Sequence, residues 1–292
     1  MVGWGHCLLG LNSADAPSLG GLLRGERAHL GQWLAAGFAV VVTDYRGFEE
    51  FRARPRLDGI SEGYDILELV AAAQTLPYPL SSKWICGGFS QGGHAALAAT
   101  VRANSHPSGR GLLGTVALAP QLWLSQFMSE ATRNPMQELQ QAVPRYLTAL
   151  LFSFPLAGLD SEVPATARRY LTLADKLPRR QYAAAIKGIS NEQAGMTGVG
   201  DCRSIQHVTA SLDFPPVQVP RPLFVAGSDP DEIAPAPLVR AFAEAQAAAG
   251  VRTTYCHYDN TEHIDVPVVA MEAAVRFGNG LRAAADRLVV TE

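Results

Sequence analysis

The pentapeptide Gly88-Phe89-Ser90-Gln91-Gly92 constrains this chain more than any other stretch. Before it runs Lys83-Trp84-Ile85-Cys86-Gly87, an apolar run that reads as a buried strand. After it runs Gly93-His94-Ala95-Ala96-Leu97-Ala98-Ala99-Thr100, alanine-rich and helix-forming. A serine held on a sharp strand-to-helix turn exposes its hydroxyl at the end of a sheet, and flanking glycines let the two backbones approach closely. The string G-x-S-x-G recurs by chance. The strand before it and the helix after it make Ser90 a candidate nucleophile; the competing reading is an ordinary Gly-Ser turn between packed elements.

The rest of the chain repeats that rhythm. Phe38 to Asp44 is an unalternating apolar and β-branched run, as in strands buried on both faces of a parallel sheet. Further strands are read at Leu112 to Ala119, Pro222 to Ala226 and Val251 to Tyr258, and Met1-Val2-Gly3-Trp4 begins inside another. Helices alternate with them: from an Ser61 cap to about Gln74, from Pro235 to near Gly250, and from Val266 to about Leu288. Such alternation predicts an α/β fold with a mainly parallel sheet covered on both faces. Between Gln121 and Pro220 the rhythm stops, and only amphipathic helical stretches appear, at Trp123-Leu124 with Phe127-Met128, Val143 to Phe154, and Tyr182 to Ile189. The expected organisation is a first core part over 1–120, a helical cap or lid over 121–220, and a second core part over 221–292. A separate helical subdomain with no role in substrate binding is the alternative.

Composition removes several function classes. At 292 residues and 48% hydrophobic content the chain can bury a sizeable core, and a net charge of -3 with scattered arginines leaves no basic stripe for nucleic acid. The four cysteines are widely spaced with no C-x-x-C, and the seven histidines form no H-E-x-x-H, so neither a disulfide framework nor a metal site is indicated. No cofactor is called for. No run reaches the ~18 apolar residues of a membrane span. The chain as given opens on no charged and apolar leader, so localisation is left open.

A serine nucleophile needs a base and an acid that orients the base. In this strand-turn-helix setting the chain order is serine, acid, histidine. His263, in Asn260-Thr261-Glu262-His263 after the last strand, is the expected base; His257 lies within that strand and reads as structural. The acid belongs in Gly227-Ser228-Asp229-Pro230-Asp231-Glu232-Ile233-Ala234-Pro235. Asp231 is the first choice from its place before Pro235, with Asp229 kept open. An oxyanion hole needs two backbone N–H groups. Gln91, after the nucleophile, supplies one; Leu8 supplies the other, with Cys7 as competitor, and His6 reads as a brace for that loop.

Gly3-Trp4-Gly5-His6, Ala16-Pro17-Ser18, Thr43-Asp44-Tyr45-Arg46-Gly47, Ser61-Glu62-Gly63 and, above all, Ser90-Gln91-Gly92-Gly93-His94-Ala95-Ala96 lie in that order along the chain. Together they resemble the lipase family of α/β-hydrolases that includes the secretory lipases of yeasts and their actinobacterial relatives. The resemblance covers most of the chain. It implies an α/β-hydrolase fold with a helical lid and an acyl-enzyme mechanism on carboxylic esters. The chain departs from the pattern at Cys7, where glycine is usual, and in an acid loop one residue longer. It also starts almost on the oxyanion segment, which implies an N-terminally shortened form or a reduced variant with fewer strands; relatives are typically secreted. The expectation is a serine carboxylester hydrolase acting on a small-molecule or lipid ester, with an apolar cap that would allow contact with a lipid interface. Leu147 to Phe152 and Leu122 to Leu124 either line an acyl site or pack as core within the cap. An amidase or peptidase of the same fold and an inactive hydrolase-fold binding protein are the rivals.

Overall fold

The computed structural model describes residues 1–47 and 58–289. Six strands form one fully parallel sheet: β1 (Val2–Gly5), β2 (Val40–Val42), β3 (Trp84–Phe89), β4 (Leu112–Leu118), β5 (Leu223–Ser228) and β6 (Thr253–Tyr258), in the order β2-β1-β3-β4-β5-β6. Each strand read from the sequence is present, with ends moved by one or two residues. Main helices of the core are α1 (Arg24–Ala35), α2 (Gly59–Gln74) and α3 (Gln91–Arg102). The stretch between β4 and β5 carries α4 (Leu124–Arg133), α5 (Ala142–Ser153), α6 (Arg168–Lys176), α7 (Arg179–Ile186) and α8 (Arg203–Ser211). Two more helices, α9 (Ala236–Ala248) and α10 (Met271–Val289), follow β5 and β6.

Central β3 is buried along its whole length, and its side chains alternate between two cores. Trp84 and Cys86 join Ile66, Leu67 and Val70 of α2 and Ala95, Ala96 and Ala99 of α3. Ile85 and Phe89 join Trp33 of α1 and Ala274 and Leu281 of α10. Helices therefore cover both faces, as the unalternating strand runs require. The helices between β4 and β5 have a third core of their own, in which Phe127, Met128, Val143, Leu147, Leu150 and Tyr182 are buried. Leu8, from the loop after β1, and Ile233, from the loop after β5, pack against it. The insertion thus meets the sheet at the carboxyl ends of strands.

Two local readings change. The cap of α2 is Asp58, not Ser61: its carboxylate accepts from the Ser61 N–H at 2.6 Å and the Ser61 Oγ–H at 2.8 Å, satisfying an otherwise unpaired helix-start donor. The closing helix is two pieces, Val266–Val269 and then α10.

Buried polar groups fasten α1 to the last helices. Fully buried His29 donates Nδ1–H to the Pro267 carbonyl at 2.8 Å and accepts the Trp33 Nε1–H at Nε2, 3.0 Å away. That pattern needs the neutral ring, and burial lowers its pKa from 6.5 to about 4, the Pro267 bond opposing. Below pH 6.5 the unfolded chain binds a proton that folded His29 refuses, so stability falls as pH drops from 6.5 towards 4, by up to about 3 kcal/mol. In urea unfolding across that window, His29→Gln is expected to show a shallower pH slope than wild type. An identical slope would contradict the assignment.

Candidate active site

Ser90 follows β3 directly and caps α3 with φ 57° and ψ −119°. A non-glycine residue in that region carries strain of order 1–3 kcal/mol and persists only where its surroundings over-determine it. Here its N–H donates to the Leu118 carbonyl at 2.9 Å, and its carbonyl accepts from the N–H groups of His94 and Gln121. The neighbouring glycines have no alternative: a Cβ on Gly88 would lie 2.0 Å from the Gly92 oxygen, and one on Gly92 would lie 1.9 Å from the Gly5 oxygen. The elbow is pressed onto β1.

His263 enters from the loop after β6. Its Nε2 is 2.9 Å from Ser90 Oγ and its Nδ1 is 2.6 Å from Asp231 Oδ2. The Asp231 side chain is wholly buried, and its Oδ1 accepts from the N–H groups of Ile233 at 2.9 Å and Ala234 at 2.7 Å. A carboxylate only accepts, so the network assigns the proton to Nδ1 and leaves Nε2 to take the Ser90 hydroxyl hydrogen. The Phe89 ring, 4.9 Å away between centroids, holds the imidazole from the side. The structure thus brings Ser90, His263 and Asp231 together and leaves Asp229 elsewhere. Asp229 and Asp259 each sit 3.1 Å from His257 Nε2. Those three residues have ligand atoms close enough for a cation, but the carboxylates already pair with His257 and lie exposed.

Cys7 is tied to a carboxylate behind the loop. The Cys7 N–H donates to Glu26 Oε1 at 3.2 Å, and its Sγ–H to Glu26 Oε2 at 3.2 Å. Burial, and then the Glu26 charge, push the Cys7 thiol well above its ordinary pKa, so it remains a donor. With that amide engaged by Glu26, Leu8 lines the cavity beside Ser90, and Gln91 opens α3, where the helix dipole favours negative charge. His6 donates Nδ1–H to the Cys7 carbonyl at 2.6 Å and is held neutral by burial, its pKa lowered to about 4. It braces the loop, as expected. Half-buried His94 stacks edge-on against Phe214.

Two buried carboxylates lie behind the site: Glu26, not singled out from the sequence, and Glu62, singled out only within Ser61-Glu62-Gly63 and without a role. Glu26 accepts from Cys7 and from Trp4 Nε1–H at 3.1 Å; burial raises its pKa, with the Trp4 and Cys7 bonds opposing. Glu62 of α2 accepts from Gln91 Nε2 at 2.5 Å, and burial pushes its pKa well up. A signal existed for Glu26: with His29, Leu30 and Trp33 it marks the i, i+3, i+4, i+7 buried face of α1.

Ser90 and His263 open on a cavity of about 600 Å³. The core lines it with Cys7, Leu8, Phe89 and the acid and histidine loops; the insertion adds Gln140, Gln141, Ala142, Arg145, Tyr146 and Arg179. Leu147 and Leu150 are instead buried in the insertion's own core, and Leu122 in the sheet core. Of the two roles left open for those runs, packing is the one seen.

No family model matches the chain, and no curated protein matches it in sequence. Solved structures do. Candida antarctica lipase A in its closed state aligns with a TM-score of 0.71 at 18% identity, covering 96% of this chain and 69% of that one. The rice cell wall degrading esterase LipA from Xanthomonas oryzae aligns at 0.72 and 18%, covering 94% and 79%.

Glu26→Ala would leave the Cys7 and Trp4 N–H groups buried without acceptors, at about 1–3 kcal/mol for each orphaned donor. We expect a matching loss of stability in urea unfolding. Unchanged stability would show that Glu26 does not anchor it. At such low identity the likeness is one of fold, and the chain has an α/β-hydrolase fold.

Proposed function

We propose that this chain is a serine carboxylester hydrolase, in line with its resemblance to the secretory-lipase family. The observation that carries the reading is the unbroken chain Asp231–His263–Ser90, ending on a strained serine that faces a cavity at a helix N-terminus. Strain of this sort is retained where function uses it. The fold neighbours described as a lipase and an esterase support esters as the substrate class.

In this reading Ser90 Oγ attacks the ester carbonyl carbon while His263 Nε2 takes its proton. The carbonyl electrons move to oxygen, and the N–H groups of Gln91 and Leu8 stabilise that oxyanion. Collapse expels the alcohol, which leaves with the proton from His263. Water, deprotonated by His263, then attacks the acyl-Ser90 carbonyl, and the carboxylic acid departs as Ser90 regains its hydrogen. Asp231 holds the imidazole and stabilises its charged form throughout. The helices over 121–220 act as a cap over the site. They contribute two arginines and no carboxylate to the cavity lining, which disfavours the amine-binding site an aminopeptidase would need.

Hydrolysis of p-nitrophenyl esters from acetate to palmitate tests the reading. Ser90→Ala and His263→Ala are each expected to lower kcat by ~10⁴-fold or more, and Asp231→Ala by ~10³–10⁴-fold. Asp229→Ala should remain within about threefold of wild type, being outside the chain of hydrogen bonds. Retained turnover in folded Ser90→Ala protein, or collapse only on Asp229→Ala, would overturn the assignment.

A further inference from the structure

The cavity beside Ser90 contains positive charge that serine chemistry does not use. Arg145 of α5 is 5% exposed and lines that cavity. Its Nε and Nη2 have no hydrogen-bond partner among the described residues. The guanidinium lies 4.5 Å from the Tyr182 ring centroid, a contact that replaces only part of its lost hydration. Arg179, at the start of α7, lines the same cavity, and its buried Nη1 also lacks a partner. Asp15 interacts electrostatically with both guanidiniums. It accepts the Arg179 backbone N–H at 2.8 Å, but its Oδ2 is unpaired, so neither guanidinium bonds to it. Glu232 and Glu262 line the cavity too; both are exposed, and Glu232 accepts from Gln140 Nε2 at 2.8 Å.

A second observation extends the charge outwards. A neighbouring cavity of about 690 Å³ shares Leu23, Arg179 and Ile264 with the first and adds Arg24, Arg27 and Arg180. Asp265 is the carboxylate in its lining. The chain as a whole is negative, so this is a local concentration brought together from α1 and α7. Buried guanidinium donors without acceptors are costly, and arginine matches a carboxylate through two parallel hydrogen bonds.

We propose that Arg145 and Arg179 form an anion subsite for a carboxylate carried by the ester substrate, so that the enzyme acts on esters of acid-bearing molecules such as monoesters of dicarboxylic acids. This rests on the serine ester hydrolase reading. The exterior arginines draw such anions towards the cavity, and a neutral analogue leaves the buried donors unpaired.

Paired substrates separate the two claims: monomethyl adipate against dimethyl adipate, with the charge on the acyl side, and 4-butyryloxybenzoate against its methyl ester, with the charge on the alcohol side. Wild type is expected to favour one anionic member by about tenfold or more in kcat/KM, a preference of which only the part due to the exterior arginines weakens as salt is raised. Arg145→Gln should abolish the ratio and Arg145→Lys should restore part of it. Arg179→Gln should lower it as well, and serves if Arg145→Gln protein does not fold. Ester turnover with no anionic preference, or a preference untouched by these substitutions, would overturn the subsite and leave the hydrolase reading standing. Absence of all turnover would instead remove the hydrolase reading. The subsite is then judged by calorimetric binding of monomethyl adipate to Ser90→Ala protein: binding lost on adding Arg145→Gln supports it, and equal or absent binding in both overturns it.

Discussion

Everything at the candidate site depends on how closely three stretches of backbone approach one another. Gly5 at the end of β1, Gly88 near the end of β3 and Gly92 in the first turn of α3 are packed so tightly that a single methyl group on Gly88 or Gly92 would fall on a carbonyl. Gly5 and Gly88 are also register partners in the sheet. This contact holds Ser90 at positive φ and sets the start of α3 against the loop that carries Leu8. A turn with side chains at these positions could not close. The strain at Ser90 is therefore maintained by packing across β1, β3 and α3 rather than by local preference.

Behind that contact the protein places groups that cannot relax cheaply. Glu26 occupies both the amide and the thiol of Cys7, and Glu62 holds the Gln91 side chain. Tyr45 donates its hydroxyl hydrogen to the His6 carbonyl from a third direction. Each is buried, so losing one partner strands another in a dry interior. The loop after β1 is thereby held from behind by buried hydrogen bonds. Cysteine at position 7, where the resembling family has glycine, gains a physical reason: its thiol is one of the ties to Glu26.

Much of this was legible in the sequence, because the strong signals were local. Continuous apolar runs and the glycines around Ser90 are patterns within a few residues of one another, and the order of serine, acid and histidine is read directly off the chain. The choice of Asp231 over Asp229 turns on which carboxylate reaches His263 across the sheet end, a distance no spacing rule measures. Arginine placement was misleading in a different way. Arg24, Arg27, Arg179 and Arg180 look scattered along the chain, yet folding sets them around one cavity. Arg145 lies in an otherwise apolar helix, and only tertiary burial reveals it as unpaired. Charge clustering is a property of the fold, and composition averages it away.

The central claim is that Ser90 is an activated nucleophile and not merely a strained turn. Covalent capture tests this most directly: folded protein is treated with diisopropyl fluorophosphate and the adduct is located by peptide mass spectrometry. The account predicts one stoichiometric diisopropylphosphoryl group on Ser90, with loss of fluoride, and labelling slowed by at least about a hundredfold in His263→Ala protein. No adduct on Ser90, or equal labelling with and without His263, would contradict it.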